Sequence, residues 1–178
     1  MTTAAEVVSF WKDAGHENWF RKDPAFDADF RERFLAAHEQ AARGEFDAWM
    51  QTPEGALALL ILLDQFPRNA FRDTARMFAT DDQARGLAER AIALGHDQTI
   101  DAELRVFFYL PLEHSENPAD QQRAVELVKP LGGEYERYAI VHQDVIQRFG
   151  RFPHRNIILG RTSTPEEIEF LTSGGFAG

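Results

Sequence analysis

Thr52-Pro53-Glu54-Gly55-Ala56-Leu57-Ala58-Leu59-Leu60-Ile61-Leu62-Leu63-Asp64-Gln65-Phe66-Pro67-Arg68-Asn69 is the stretch on which the fold turns. It opens with a capping hydroxyl and a proline at the first helical position, where a missing N–H costs nothing. Apolar residues then occupy every side of the helix, so the segment is expected to be central and fully buried. A residue before proline is pushed out of the α region, so this helix is expected to end near Gln65. Asp64 then falls in its last turn, at the negative end of the helix dipole, and requires a cation; Arg68 or Arg72 is the local choice. Arg68 and Asn69 follow just past the expected stop.

Outward from this segment the chain repeats the same grammar. Asp23-Pro24 and Thr164-Pro165-Glu166-Glu167 are further helix starts, and Thr80 with Gln83 has the spacing of a capping box. Phe26, Phe30, Phe34, Ala37 and Ala41 form one helical stripe, and Tyr135, Tyr138, His142, Ile146 and Phe149 form another, ended by Gly150. Helices are expected near residues 3–14, 25–43, 53–65, 81–94, 101–110, 119–131, 134–149 and 165–172. No segment alternates as a strand would. The fold class is therefore all-α. With no linker-like or low-complexity tract, residues 1–178 are expected to form a single helical domain.

The totals narrow the function. There is no cysteine among the 178 residues, which removes disulfides, thiolate chemistry and cysteine-type zinc sites. The net charge of −10 argues against a nucleic-acid partner. No apolar run approaches the ~20 residues of a membrane span, and the first residues lack the basic region of a secretory signal. A cytoplasmic protein without a membrane partner is expected. The early aromatics Phe10, Trp11, Trp19 and Phe20 leave room for a homodimer interface.

The phrase at Phe66-Pro67-Arg68-Asn69 has a second copy, Phe152-Pro153-His154-Arg155-Asn156, in a stretch with no acid between Asp144 and Glu166. Here Arg148, Arg151, Arg155 and Arg161 make a basic island in an acidic chain. Two glycines and a proline shape the loop, and it leads to a helix N-terminus, a setting that favours phosphate or carboxylate. Ile157-Ile158-Leu159 is expected to be buried and to pin the loop to the core. A third polar segment, Glu113-His114-Ser115-Glu116, follows Pro111, where a helix is expected to end or kink; His114 could act as a base with an orienting carboxylate. The ligand spacing does not support a metal, and no cofactor is expected. His142 lies on an apolar stripe and reads as a hydrogen-bonded core histidine. His16, His38 and His96 read as solvated or loop positions.

Leu63–Asn69 with Phe71-Arg72, Phe107–Glu116, and Phe149–Asn156 running on to Arg161 and Ser163–Glu167 together resemble a bacterial family catalogued as domain of unknown function 924. Val7-Val8-Ser9-Phe10-Trp11 resembles the family's opening. The resemblance implies a fold similar to tetratricopeptide-repeat proteins, with antiparallel helix pairs stacked in a solenoid, and it implies no reaction.

The residues then point to a binding module for a small anionic molecule, or for a protein or peptide segment bearing a carboxylate. Arg68, Arg155 and Arg161 are the expected charge partners; Asn69, Asn156, His114, Glu116 and His154 complete the expected set. The rival is an enzyme, a hydrolase or isomerase of an anionic metabolite, with His114 or His154 as acid/base and arginines stabilising an anionic transition state.

Overall fold

Pro67 does not end the central helix. A computed structural model describes residues 2–178. In it, helix α4 (Pro53–Leu60) continues through a π-helical turn, Ile61–Gln65, into helix α5 (Phe66–Ala70). Phe66, the residue before proline, stays in the α region at φ −54°, ψ −49°. The wide turn absorbs the proline: the Phe66 N–H reaches back five residues to the Ile61 carbonyl. Proline offers no N–H, so the preceding carbonyls need other donors. His38 Nδ1 lies 2.8 Å from the Leu62 carbonyl, Thr80 Oγ1 donates to that of Leu63 at 2.6 Å, and Arg68 Nη1 to that of Asp64 at 2.8 Å. The expected stop was thus correct about the lost hydrogen bond and wrong about its consequence, because side chains from elsewhere in the chain replace it.

Two expectations change with this. His38 is buried at 4% exposure and stacks on Phe66 at 4.9 Å, so it is no solvated residue. Its place four residues after Phe34, on the same stripe, was the signal. Burial lowers its pKa, which keeps the ring neutral. Thr80 makes no capping box with Gln83, since its hydroxyl is spent on Leu63 and Gln83 Nε2 bonds the Ala41 carbonyl instead. Thr80→Val, which keeps the shape and removes the hydroxyl, is expected to cost about 1–2 kcal/mol in urea unfolding.

The chain divides into two compact units, Met1–Pro111 and Leu112–Gly178. The first is built on α4, whose residues from Ala56 to Leu63 (including the first turn of the π segment) are all buried. Helices α1 (Ala4–Ala14) and α6 (Asp81–Ala93) pack on α4, and α3 (Pro24–Ala42) packs on the π turn and α5. A short helix α2 (His16–Trp19) brings Trp19 against Trp11, with ring centroids 6.3 Å apart. Trp11 and Trp19 are core residues of this unit, whereas Phe20 is exposed. Gly55 is obligatory at the start of α4: an added Cβ would lie 2.2 Å from the Trp49 carbonyl oxygen. The expected helix at 101–110 is a 3-10 segment, Ala102–Phe108, and Pro111 opens rather than ends a short helix, α7 (Leu110–Glu113), within which the division between units falls.

The second unit is a pair of consecutive packed helices, α8 (Pro118–Val128) and α9 (Gly133–Phe149), followed by a long loop and helix α10 (Pro165–Thr172). Asn117 caps α8, and Thr164 caps α10 in a capping box with Glu167, as the Thr164–Glu167 spacing predicts. Gly150, at φ 69°, supplies the left-handed residue that ends α9. Among the described residues there is no strand, and no helix long and apolar enough to cross a membrane. The molecule is all-α.

Candidate functional site

The first Phe-Pro phrase is a structural clamp. Arg68 Nη1 lies 3.1 Å from Asp64 Oδ1 and 2.9 Å from Asp81 Oδ1, and Nη2 donates to Asp81 Oδ2 at 3.0 Å. Burial works against its charge, but the two carboxylates outweigh it and its pKa is raised. Asn69 Nδ2 donates to Asp27 Oδ1 at 2.8 Å, and Arg72 grips the same carboxylate through Nε and Nη2 at 2.6 and 3.0 Å. These donors serve the protein's own acids, Asp27, Asp64 and Asp81.

The second phrase is not held by its apolar tripeptide. Ile157 is 88% exposed and Leu159 is also exposed, which overturns the expectation that Ile157–Leu159 anchors the loop. The anchors are Phe152, fully buried, and Asn156, 1% exposed. Arg161 donates to both oxygens of Glu116 (2.7 and 3.0 Å), to the Phe152 carbonyl (3.0 Å) and through Nε to Asn156 Oδ1 (2.9 Å). Asn156 Nδ2 passes the chain of bonds on to Ser163 Oγ (3.0 Å) and Glu167 Oε2 (3.1 Å). Glu167 in turn accepts from Arg151 at 2.7 and 2.8 Å and from the Thr164 N–H at 2.8 Å. Arg161 and Arg151 of the basic island are therefore paired with Glu116 and Glu167, which lie outside the acid-free stretch. Burial pushes Glu116 upward, but Arg161 and the Phe152 N–H prevail and its pKa is lowered.

Beside this network the loop meets α7 and α9 at a cluster of imidazoles. Arg155, 7% exposed, donates from Nη2 to the His114 carbonyl at 2.9 Å, and its guanidinium covers the Phe152 ring at 4.5 Å. The ring centroids of His114 and His142 are 6.1 Å apart; that of His142 is 5.5 Å from Phe152, which is 5.7 Å from His154. His142 Nδ1 is 2.8 Å from the Tyr138 carbonyl and 3.0 Å from Glu113 Oε1. Two acceptors facing one nitrogen place the proton on Nδ1 and leave Nε2 as the nitrogen that titrates. The buried Nδ1 of His154 finds no hydrogen-bond partner among the described residues.

Electrostatics favour neutral rings. Burial and then the positive charge of His114 push His142 down to about 3. The hydrogen bond to the Tyr138 carbonyl pulls the other way, and burial prevails over it. Burial and then Arg155 push His154 down to about 4, with Glu116 opposing. Both shifts come first from burial, and cationic neighbours add to it.

Of the residues expected from the sequence, the structure gathers His114, His154 and Arg155 at this cluster and places Glu116, Asn156 and Arg161 in the network that braces it. Arg68 and Asn69 belong to the clamp of the first unit. The sequence sets His114 beside Glu113 and Glu116 as orienting carboxylates; in the structure Glu113 Oε1 lies 3.0 Å from His142 Nδ1, and Glu116 accepts from Arg161. His142 gave no signal beyond its place on a stripe. Among the described residues no group of three His, Cys, Asp or Glu side chains is arranged to hold a metal ion.

An all-α protein with a histidine–arginine cluster braced by half-buried ion pairs is the class these features define. The chain belongs to the family described as Bacterial protein of unknown function (DUF924), which it matches over residues 7–175. It is similar to a solved protein of unknown function from Agrobacterium tumefaciens, at 57% identity and a TM-score of 0.95, over 96% of this chain and 97% of that one. No curated protein matches it.

Proposed function

We propose that the second unit binds a small anionic molecule, a carboxylate or phosphate, at the cluster of His114, His142, His154 and Arg155. The observation that carries this reading is the gathering of His142, His154 and the Arg155 guanidinium around Phe152, with His114 beside His142 and the buried Nδ1 of His154 without a hydrogen-bond partner among the described residues. A bound anion adds negative charge beside these groups. It also restores the proton affinity that the cationic neighbours depress, so binding takes up protons.

The sign follows from linkage. Both rings hold fewer protons folded than unfolded below the ordinary histidine pKa of 6.5. The anion-free protein therefore loses stability as pH falls below that value, and a bound anion opposes the loss. Thermal unfolding with inorganic phosphate or acetate is expected to show stabilisation that is larger at about pH 5.5 than at about pH 8. His154→Ala is expected to remove the share of that pH dependence that His154 carries and to leave that of His142. Equal stabilisation of the two proteins at both pH values would refute the site.

A second reading, proton transfer, is favoured by one observation. His142 has its Nδ1 fixed by a buried carboxylate and a carbonyl, the arrangement that orients Nε2 as a base. On this reading His142, rather than His114 or His154, exchanges the proton.

A further inference from the structure

The outer face of the cluster is covered by the chain itself. After the last turn of α10, Gly174 (φ 82°) turns the backbone and leads through Gly175 to Phe176. The Phe176 ring lies 4.4 Å from His142, 5.4 Å from His154 and 6.4 Å from Phe152, at interplanar angles of 58°, 86° and 59°. Three flat side chains thus wall one aromatic ring. Phe152 beneath is fully buried, whereas Phe176 is only half-buried, so it is the outermost member of the stack. The backbone then runs over His154: a Cβ added at Gly178 would lie 3.1 Å from Nε2.

Resting on the anion reading, we propose that Phe176 holds in cis the place of the ligand's own ring, and that the ligand is an aromatic carboxylate. Its ring takes the box formed by His142, His154 and Phe152, and its charge faces the imidazoles and Arg155. Offset and edge-to-face ring contacts, worth about 0.5–1.5 kcal/mol each beyond area burial, favour a planar group there over an aliphatic one. The Gly174-Gly175 pair is the pivot that lets the segment leave. A site closed by its own chain binds with an affinity reduced by the fraction of molecules in which it is open.

The test is a titration of wild type and Phe176→Ala, followed by histidine ring resonances, with benzoate, benzyl alcohol and acetate as probes. Benzoate and neutral benzyl alcohol are expected to bind Phe176→Ala at least about tenfold more tightly than wild type, and acetate to change by less than about twofold. Unchanged benzoate and benzyl alcohol affinities would overturn the proposal, even with acetate bound by both proteins. Failure of every anion together with a tenfold gain for benzyl alcohol would sink the anion reading and the carboxylate, while keeping the aromatic box. Circular dichroism checks that the variant folds. If it does not, Phe176→Leu, which keeps apolar cover and removes the ring, is expected to show the same preference for aromatic probes.

Discussion

Arg68→Ala is expected to lower the free energy of unfolding by about 3–5 kcal/mol, with a fall in Tm on the order of 10 °C. Asp64 is 1% exposed and Asp81 sits beside it; both carboxylates, and the Asp64 carbonyl, share this one guanidinium. Removing the cation leaves the acids in a low-dielectric setting without its charge, the costly way to break a buried pair. The partner experiment separates this from lost packing. Asp64→Leu combined with Arg68→Met is expected to be less destabilised than Arg68→Met alone, because the doubly apolar site carries no stranded Asp64 charge. A double variant as unstable as the sum of the two single variants would show that no such coupling exists.

Glu167→Ala is expected to cost about 3 kcal/mol, measured by urea unfolding. Its carboxylate is 1% exposed and accepts from Arg151, Asn156 and the Thr164 N–H, so one truncation opens the capping box of α10 and the far end of the network through Asn156 to Arg161. Arg151 chiefly, helped by the Thr164 N–H, holds this carboxyl down at about 2. A carboxylate with a depressed folded pKa stabilises the protein above its unfolded value and loses that contribution as pH falls through the folded one. Acid unfolding of the wild type should therefore steepen between the unfolded value of 4.5 and about 2, and Glu167→Ala should flatten that window. A variant with the wild-type slope would remove Glu167 from the acid transition.

The helices were largely legible in the residues. Capping oxygens before proline, apolar stripes of helical period and terminal glycines lie within a few residues of the structure they specify, and starts such as Pro24, Pro53 and Pro165 are read directly. Pro67 is the instructive exception. Its effect on its own backbone was legible, but its tolerance depends on Thr80 and His38, which no local pattern connects to Leu62 and Leu63.

The candidate site was legible only as an inventory. His114, His154 and Arg155 could be named from the odd composition of their segments, and so could Arg68, Asn69, Glu116, Asn156 and Arg161. What each does depends on which opposite charge it meets. Arg161 meets a glutamate 45 residues away, Asn69 an aspartate 42 residues away, and Arg151 a glutamate 16 residues on.

By itself the sequence determines an all-α chain, the boundaries of most helices and the presence of a basic, acid-free loop, because hydrogen bonding and burial along a helix are set by near neighbours. Tertiary packing decides that the arginines of that loop brace it, that Ile157 faces solvent, that His142 joins Glu113, and that Phe176 closes over the imidazoles. Those outcomes rest on burial and charge pairing between distant residues, whose energies exist only once the backbone has brought them together.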